Sequence, residues 1–185
     1  MIFAIEPLEQ CWNEIYDKPT GLAYLHWLET KAHQYDQQYG PDFTRYNSYA
    51  KAGWFRQFTV RDNGKLVGFS GVYITPSMHT QAMLAVEDTW YLLPAYRKGW
   101  NAIKFYRYIE ERCMEFGAEE ATLTVPDSKE RGIHVLLLRL DYTPVSVQYS
   151  KKLQHQHRAD SAQTDTPINA VEGNAHVCTL TASGP

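Results

Sequence analysis

The amino-acid sequence predicts an α/β (α+β) protein in which a mixed, mostly antiparallel central sheet is flanked by helices. Apolar residues recur three and four positions apart in residues 8–35 and again in residues 100–116, which is the period of amphipathic helices. Between these stretches, residues 55–93 alternate or are rich in β-branched and aromatic side chains, as strands are. Asn63 and Gly64 add a hairpin turn signal inside that region.

The predicted elements follow one another with short connections up to residue 153. Each is bounded by a change of period or by a turn residue. In chain order they are a strand at 2–5, helices at 8–16 and 21–35, a short helix ending at 52, strands at 55–61, 66–75 and 81–93, a helix at 100–116, a strand at 121–125, a helix at 129–140 and a strand at 145–153.

Several single residues mark where these elements end or come close to each other. Thr20 is a candidate N-cap for the second helix, because its hydroxyl could accept a hydrogen bond from the first turn. Gly53 and Gly117 are suited to end helices. Gly68 and Gly71, in the second strand of the hairpin, indicate a bulge or a close approach of another part of the backbone.

Length and composition indicate one folded domain and a tail. The chain has 185 residues, of which 44% are hydrophobic and 14% aromatic, enough for one well-buried core. Residues 154–185 contain no aromatic residue and are rich in Ser, Thr, Ala, Asn and Gln. We therefore expect a domain at 1–153 and a polar, flexible tail at 154–185.

Charge and cysteine usage exclude several functional classes. The net charge of −3 and the pI near 6.2 give no basic field that would indicate general nucleic-acid binding. Cys11, Cys113 and Cys178 lack CxxC spacing, so we predict neither a disulfide framework nor a metal site. No segment approaches the ~20 apolar residues of a membrane span, so we expect no membrane partner and a cytoplasmic location.

Residues 88–102 form the segment that carries chemistry: a strand, a short basic loop and the start of a helix. Free N–H groups and the positive end of a helix dipole favour a phosphate there, and Gly99 lets the backbone approach it closely. Arg97 and Lys98 add positive charge. The same arrangement is also common in α/β proteins without a phosphate ligand. Because the GxxxxGK[ST] and GxGxxG motifs are absent from the sequence, ATP and NAD are not indicated.

The segment resembles motif A of the Gcn5-related N-acetyltransferases, whose Arg/Gln-x-x-Gly-x-Gly/Ala loop wraps the pyrophosphate of coenzyme A. Arg97 and Ala102 match the ends of that motif, whereas Trp100 stands at its first Gly and Gly99 lies one residue earlier. The resemblance extends over residues 2–153, with 60–69 similar to the second and third strands of the family and 137–144 similar to the end of its motif B. Together with 91–99, these segments resemble acetyltransferases encoded by bacteriophages and prophages.

The resemblance implies the GNAT fold and acetyl-CoA (coenzyme A) as cofactor. In that family the central strand bulges and splays from its neighbour, and the pantetheine arm lies in the opening. The residues thereby implied are Tyr91, Leu92 and Leu93 along that arm and Arg97, Lys98, Gly99, Trp100, Asn101 and Ala102 around the pyrophosphate.

Two adjacent carboxylates, Glu87 and Asp88, are the candidate general bases that the resemblance implies for the acceptor amine. Adjacent strand residues face opposite sides, so only one of them can face the acceptor unless the strand bulges. Strand parity counted from Arg97 favours Asp88, and a surface or ion-paired carboxylate remains the alternative for both. The expected oxyanion donor is a backbone N–H near Leu92.

Motif B departs from the family pattern, because Leu137 stands where many members have a Tyr that protonates the leaving thiolate. Tyr142 is near in sequence, and His134 lies one helical turn before Leu137, so His134 is a candidate acid on the same helix face. An ordinary surface or core role is the alternative for His134. His79, in the turn before the central strand, is a candidate for binding the acceptor, with simple solvation as the alternative.

These observations predict an N-acetyltransferase that transfers an acetyl group from acetyl-CoA to a primary amine by direct attack. The amine acceptor is of unknown class. The alternative is a catalytically inactive GNAT-fold binding module that acts on a host or virion partner, which Trp100 and Leu137 favour and Arg97, Lys98 and Ala102 oppose. If the gene belongs to a phage, the location is the host cytoplasm. A homodimer is left open.

Overall fold

The structure, a computed structural model, describes residues 1–30, 38–125 and 131–146. Within these ranges the chain forms five strands and five α-helices. The strands are β1 (Ile2–Ile5), β2 (Phe55–Asp62), β3 (Lys65–Pro76), β4 (Met83–Leu92) and β5 (Glu120–Thr122). The helices are α1 (Leu8–Tyr16), α2 (Leu22–Glu29), α3 (Phe43–Lys51), α4 (Asn101–Glu115) and α5 (Arg131–Arg139), and a short 3-10 turn lies at Pro94–Tyr96.

The strands form one sheet in the order β1-β2-β3-β4-β5. Every neighbouring pair is antiparallel except β4 and β5, which are parallel and joined by α4 as a crossover. The predicted mixed, mostly antiparallel sheet flanked by helices is therefore confirmed.

Helices cover both faces of this sheet. The helices α1 and α2 contribute to a core on one face that includes the rings of Tyr16, Phe69 and Tyr91, with residues of α3 packed against it. The buried face of α4 packs on the other side of the sheet, where Phe105 and Leu92 are almost fully excluded from water. Alternate residues of β2, β3 and β4 contribute to the two cores, as the period of a strand requires.

The predicted β2–β3 hairpin is confirmed. Asn63 and Gly64 have φ values of +49° and +81°, the left-handed conformation that a two-residue type I′ turn needs. The predicted close approach at the two strand glycines is also present. A Cβ at Gly68 would lie 2.6 Å from Leu92 Cδ1, and one at Gly71 would lie 2.8 Å from the Phe55 ring.

The helix ends show one wrong prediction. The N-cap of α2 is Gly21, with extended backbone and no side-chain cap, so Thr20 does not cap this helix. A Cβ at Gly21 would lie 2.6 Å from Asp17 O, because the chain turns tightly after α1, and the helix begins only beyond that glycine. The predicted helix at 21–35 ends at Glu29 in the described residues, where the Thr30 hydroxyl donates to His26 O at 3.0 Å.

The C-terminal elements are shorter than predicted. The strand predicted at 121–125 is β5, and the helix predicted at 129–140 is α5. Of the strand predicted at 145–153, Val145 and Ser146 are described and are not in a strand, and the rest lies outside the described residues. The predicted tail at 154–185, and with it the domain boundary, also lies outside them.

In the ranges that the structure describes, no helix has both the length and the apolarity to cross a membrane.

Candidate active site

A β-bulge in the central strand β4 positions the candidate carboxylates. Gly71 of β3 pairs with Thr89, and the next residue of β3, Val72, pairs with Glu87, so Asp88 is an extra residue without a partner on β3. Glu87 is directed towards α4 and Asp88 towards α3. Each carboxylate is thus directed towards a different layer of helices.

Asp88 lies among aromatic side chains that come from the first half of the chain. Its Oδ2 accepts a hydrogen bond of 2.8 Å from the Tyr46 hydroxyl, and Thr89 Oγ1 lies 3.3 Å from the same oxygen. A Cβ at Gly71 would lie 3.3 Å from Asp88 Oδ2, so the absence of a side chain at Gly71 makes room for the carboxylate. The site combines a carboxylate with phenol groups on one side of the sheet.

The surroundings of Asp88 raise its pKa. Although the residue keeps contact with solvent, the protein atoms around its carboxylate remove part of its hydration, which raises the pKa, and the hydrogen bonds from Tyr46 and Thr89 oppose that rise. A carboxylate with a raised pKa is a stronger base than an ordinary aspartate. It therefore suits the removal of a proton from an amine.

Glu87 lies on the opposite face, at the point where β4 and β5 separate. Its Oε2 accepts a hydrogen bond of 3.3 Å from the backbone N–H of Thr124, just beyond β5. Burial raises the pKa of Glu87 to about 7, the Thr124 hydrogen bond opposes this, and the nearby charge of Asp88 adds to it. The carboxyl group lines a cavity together with Trp90, Tyr106, Glu110 and Tyr142.

The opening between β4 and β5 begins beyond this carboxylate. In the described residues, β5 pairs with β4 only at Leu84–Val86, so the part of β4 from Glu87 onwards has no partner on that side. The N–H of Leu93 donates to Val67 O at 2.9 Å. Because antiparallel ladders alternate, the N–H groups of Trp90 and Leu92 face away from β3, into the opening. The N–H of Leu92, near which an oxyanion donor is expected, is therefore directed into the opening.

The loop between β4 and α4 is short and ordered by its own contacts. Gly99 has a φ of +68°, a left-handed conformation in which any side chain would be strained. The Asn101 amide donates to Tyr96 O at 3.1 Å, and α4 begins at Asn101 with Trp100 as an N-cap that makes no side-chain hydrogen bond. Within the described part of the chain, the N–H groups of residues 101–103 have no acceptor, and Trp100 is 68% exposed.

The guanidinium group of Arg97 reaches back to α2. It forms a bidentate ion pair with Glu29 at 2.9 and 2.6 Å, and its Nε donates to Leu92 O at 2.6 Å. It also lies over the ring of Tyr91, 5.1 Å from the centroid. The hydrogen bond from Arg97 holds the pKa of the Glu29 carboxyl below its ordinary value. The charge of Arg97 is therefore compensated inside the protein.

Comparison with solved structures identifies this architecture. The chain is similar to an aminoglycoside acetyltransferase, HMB0005, from an uncultured soil metagenomic sample, with a TM-score of 0.64, 14% identity and coverage of 83% of this chain and 100% of that one. It is also similar to the ribosomal-protein-alanine N-acetyltransferase of Brucella melitensis biovar Abortus 2308, with a TM-score of 0.59, 16% identity and the same coverage. No protein-family model matches the chain, and no curated protein matches it by sequence.

The chain has the GNAT fold. A probable acetyltransferase, with a TM-score of 0.57, 14% identity and coverage of 83% of this chain and 99% of that one, is a further structural neighbour. At these identities the likeness shows the fold alone.

The GNAT fold allows a test of whether the predicted cofactor residues fit coenzyme A. The unpaired N–H groups at the start of α4 and the open loop at Gly99 fit a pyrophosphate, since they offer donors without a competing side-chain cap. Lys98 is exposed beside them. Arg97 fits less well, because Glu29 already binds its guanidinium group.

The apolar residues predicted to line the pantetheine arm differ in orientation. Tyr91 is 4% exposed and faces the α1–α2 side, where His26 packs against its ring at 5.6 Å. Leu92 is 1% exposed and faces α4, and Leu93 is partly buried against both cores. Their side chains are largely core, so only their backbone is available to a ligand in the opening.

The motif-B residues lie on and after α5. His134 is exposed and lines a surface depression together with Leu137 and Tyr142. Tyr142 is half-buried and donates a hydrogen bond to Glu110 of α4, and burial followed by that bond raises the pKa of Tyr142. A phenol that is tied to a carboxylate and has a raised pKa is a weak proton donor. The structure thus brings Tyr142 close to Glu87 but leaves His134 at the surface.

His79 lies in the exposed turn between β3 and β4, before the strand that carries Asp88. Its backbone N–H donates to Ser77 Oγ at 3.3 Å. Five strand residues separate the start of β4 from Asp88, a distance of about 16 Å along an extended chain. No described contact joins the His79 side chain to Asp88, and its role towards an acceptor stays a prediction.

Sequence reasoning missed Tyr46 and Glu29, which contact the two most informative site residues. Tyr46 is 42 residues from Asp88 and Glu29 is 68 residues from Arg97, and both pairs form between different elements. No local pattern marks either residue. Only the packing of α2 and α3 against β4 reveals them.

Proposed function

We propose that the protein is an N-acetyltransferase that transfers an acetyl group from acetyl-CoA to a primary amine by direct attack. The observation that supports this best is the bulge at Asp88, which leaves a carboxylate of raised pKa on β4, the strand that borders the opening between β4 and β5. The uncapped start of α4 lies at the end of the same strand and loop. We place this activity in the cytoplasm, as the sequence indicates.

Acetyl-CoA, when bound, supplies an acyl group activated as a thioester. In this proposal the N–H groups at the start of α4, with Lys98 and the backbone of Gly99, hold its pyrophosphate. The N–H of Leu92 donates to the carbonyl oxygen as that oxygen gains negative charge. These roles depend mainly on backbone groups, which explains why Trp100 can replace the usual Gly of the motif.

Asp88 is assigned as the group that accepts the proton of the amine. It faces the helices α1 to α3, whereas Glu87 faces α4 and binds the N–H of Thr124. The hydrogen bond from Tyr46 fixes one carboxylate oxygen, so the other oxygen is the one assigned to the amine. We assign no residue to protonate the departing thiolate, because Tyr142 is held by Glu110.

Isothermal titration calorimetry with acetyl-CoA tests the first part of the proposal, and release of the CoA thiol with a panel of amines tests the second. Asp88→Asn should bind acetyl-CoA like the parent and release thiol more slowly. Asp141→Asn is a matched control. Asp141 has a φ of +64°, which Asn tolerates, and it lies just after the C-terminal end of α5, in a different element from Asp88. Absence of acetyl-CoA binding by the folded parent would refute the proposal.

The alternative is a GNAT-fold binding module without catalysis, acting on a host or virion partner. The ion pair between Arg97 and Glu29 favours it, because it occupies the cation that the motif offers to a pyrophosphate. The same calorimetry distinguishes the two functions. An enzyme must bind acetyl-CoA, and a module of this kind need not.

A further inference from the structure

A continuous row of aromatic rings leads away from Asp88 across the α3 side of the sheet. The ring centroid of Tyr46, whose hydroxyl binds Asp88, lies 5.1 Å from that of Phe55, and the ring centroids of Phe55 and Tyr73 lie 5.2 Å apart. Tyr73 lies 5.7 Å from Tyr49. The row continues at its outer end to Trp54, 6.3 Å from Tyr49.

The outer part of this row is accessible. Tyr49 is 36% exposed and Trp54 is 51% exposed, although aromatic rings in a soluble protein are usually covered. Tyr73 is half-buried, and its phenol is close enough to Asp88 for that charge, after burial, to raise its pKa to about 12. A ligand that reaches Asp88 can therefore lie along Tyr73 and Tyr49.

We propose that the acceptor is a monoamine whose ammonium group binds Asp88 and whose attached aromatic ring packs against Tyr73, Tyr49 and Trp54. This inference rests on the proposed function, because it names the substrate class of the same site. The carboxylate gives the charge that an ammonium group requires, and tyrosine faces attract both cations and aromatic rings.

The position of the row agrees with the direction of transfer. Tyr73 pairs with Val86, on the N-terminal side of the bulge in β4. The opening towards the loop assigned to the cofactor lies on the C-terminal side of the bulge. An amine at Asp88 with its ring on Tyr73 would therefore extend away from the start of α4. Tyr46 and Thr89 both contact Oδ2 of Asp88, so the amine is assigned to Oδ1.

The charges around the row disfavour polyamines. Arg45, exposed on α3, is close enough to Tyr73 for its charge to partly offset the burial and the Asp88 charge that raise the pKa of that phenol. Among the described carboxylates of the α2–α3 side, Glu29 is paired with Arg97, and Asp42 caps α3 through the N–H of Arg45. A polyamine would therefore meet one available carboxylate and a cation.

Four probes separate the contributions of charge and ring, with affinities measured by calorimetry on the full-length protein. They are 2-phenylethylamine, 2-cyclohexylethylamine, 2-phenylethanol and spermidine. Aromatic stacking should make 2-phenylethylamine bind about 2- to 12-fold more tightly than its cyclohexyl analogue. It should also bind more tightly than the uncharged alcohol and than spermidine. The inference would be overturned if 2-phenylethylamine bound no more tightly than 2-cyclohexylethylamine, or no more tightly than 2-phenylethanol. Tighter binding of spermidine than of 2-phenylethylamine would also overturn it.

Two exposed substitutions test the row without removing core side chains. The double variant Tyr49→Ala with Trp54→Ala should reduce the preference for the phenyl over the cyclohexyl amine, and Asp88→Asn should abolish the preference for the amine over the alcohol. Phe116→Ala is the matched control, because Phe116 is 38% exposed and contacts Arg56 rather than the row. An unchanged preference in the double variant would contradict the proposal.

The outcome also distinguishes this inference from the proposed function. If the protein binds acetyl-CoA but none of the amines shows the expected order, the enzyme proposal stands and the aromatic-amine inference is wrong. If the amines bind in the expected order but acetyl-CoA does not bind, the ligand site is supported and the transferase proposal is wrong.

Discussion

Glu87→Gln should stabilise the protein, and the gain should depend on pH. Burial raises the pKa of Glu87 from its ordinary 4.5 to about 7 in the folded state. The folded protein thus keeps this carboxyl protonated at pH values where the unfolded chain has already ionised it. The contribution of the protonated Glu87 carboxyl to the stability of the parent is present below about pH 4.5. This contribution is lost as the pH rises and is fully lost above about pH 7.

The size of the effect follows from the same two pKa values. Their difference corresponds to about 3 kcal/mol at pH 8, or about 2 kcal/mol after allowance for the partial contact of Glu87 with water. Glutamine has nearly the same shape and keeps an acceptor for the Thr124 N–H, but it cannot ionise. The two proteins should therefore have nearly equal stability at pH 4 and differ by about 2–3 kcal/mol at pH 8.

Urea denaturation of both proteins at pH 4, 5, 6, 7 and 8 measures this difference directly. Glu111→Gln on the exposed side of α4 controls for the loss of one carboxylate. A difference between parent and Glu87→Gln that is constant across this range would show that Glu87 is hydrated in the folded protein. That result would contradict the loss of hydration that raises the pKa of Glu87.

Three further predictions concern the same site. Asp88→Asn should lower turnover by ~10²–10⁴-fold with unchanged acetyl-CoA affinity, and an equal turnover across pH 6 to 9 would exclude it as the base. Gly71→Ala should destabilise the protein by about 1–3 kcal/mol in urea denaturation, because the new Cβ would lie 2.8 Å from the Phe55 ring; an unchanged midpoint would show that the ring moves freely. Arg97→Glu should weaken acetyl-CoA binding by about 1.5–3 kcal/mol, whereas Glu29→Gln should strengthen it by removing the negative charge that competes with the pyrophosphate for Arg97. Weaker calorimetric binding in both variants would mean that the ion pair positions the loop instead.

The fold was largely predictable because its signals are local. The Asn63-Gly64 turn, the strand alternation around it and the glycine after α4 each act within a few residues of chain. The missed N-cap of α2 shows the limit of such reasoning. Thr20 has the right chemistry, but the tight turn after α1 requires Gly21 at the cap position.

The site was predictable only in part. The sequence placed Glu87 and Asp88 on opposite faces, and the resemblance implied a bulge in the central strand, but neither showed that Asp88 is the extra residue. Burial is the largest cause of the raised pKa of both Glu87 and Asp88, and hydrogen bonds from Thr124 and Tyr46, respectively, oppose it. No motif encodes these surroundings. Desolvation arises from tertiary packing, which a single sequence does not specify.

In the proposed function, the bulge links the side of the sheet assigned to the acceptor with the side assigned to the cofactor. In a regular strand, Asp88 and Glu87 would still face opposite sides, but residues beyond Asp88 would be shifted by one position relative to β3, so Tyr91 and Leu92 would exchange faces. The N–H of Leu92 would then point towards β3 and could not reach the opening. The extra residue therefore allows one strand to present a carboxylate towards α3 and, four residues later, an N–H group into the opening. In the proposed transfer, the amine at Asp88 and the thioester at the N–H of Leu92 would meet along this strand.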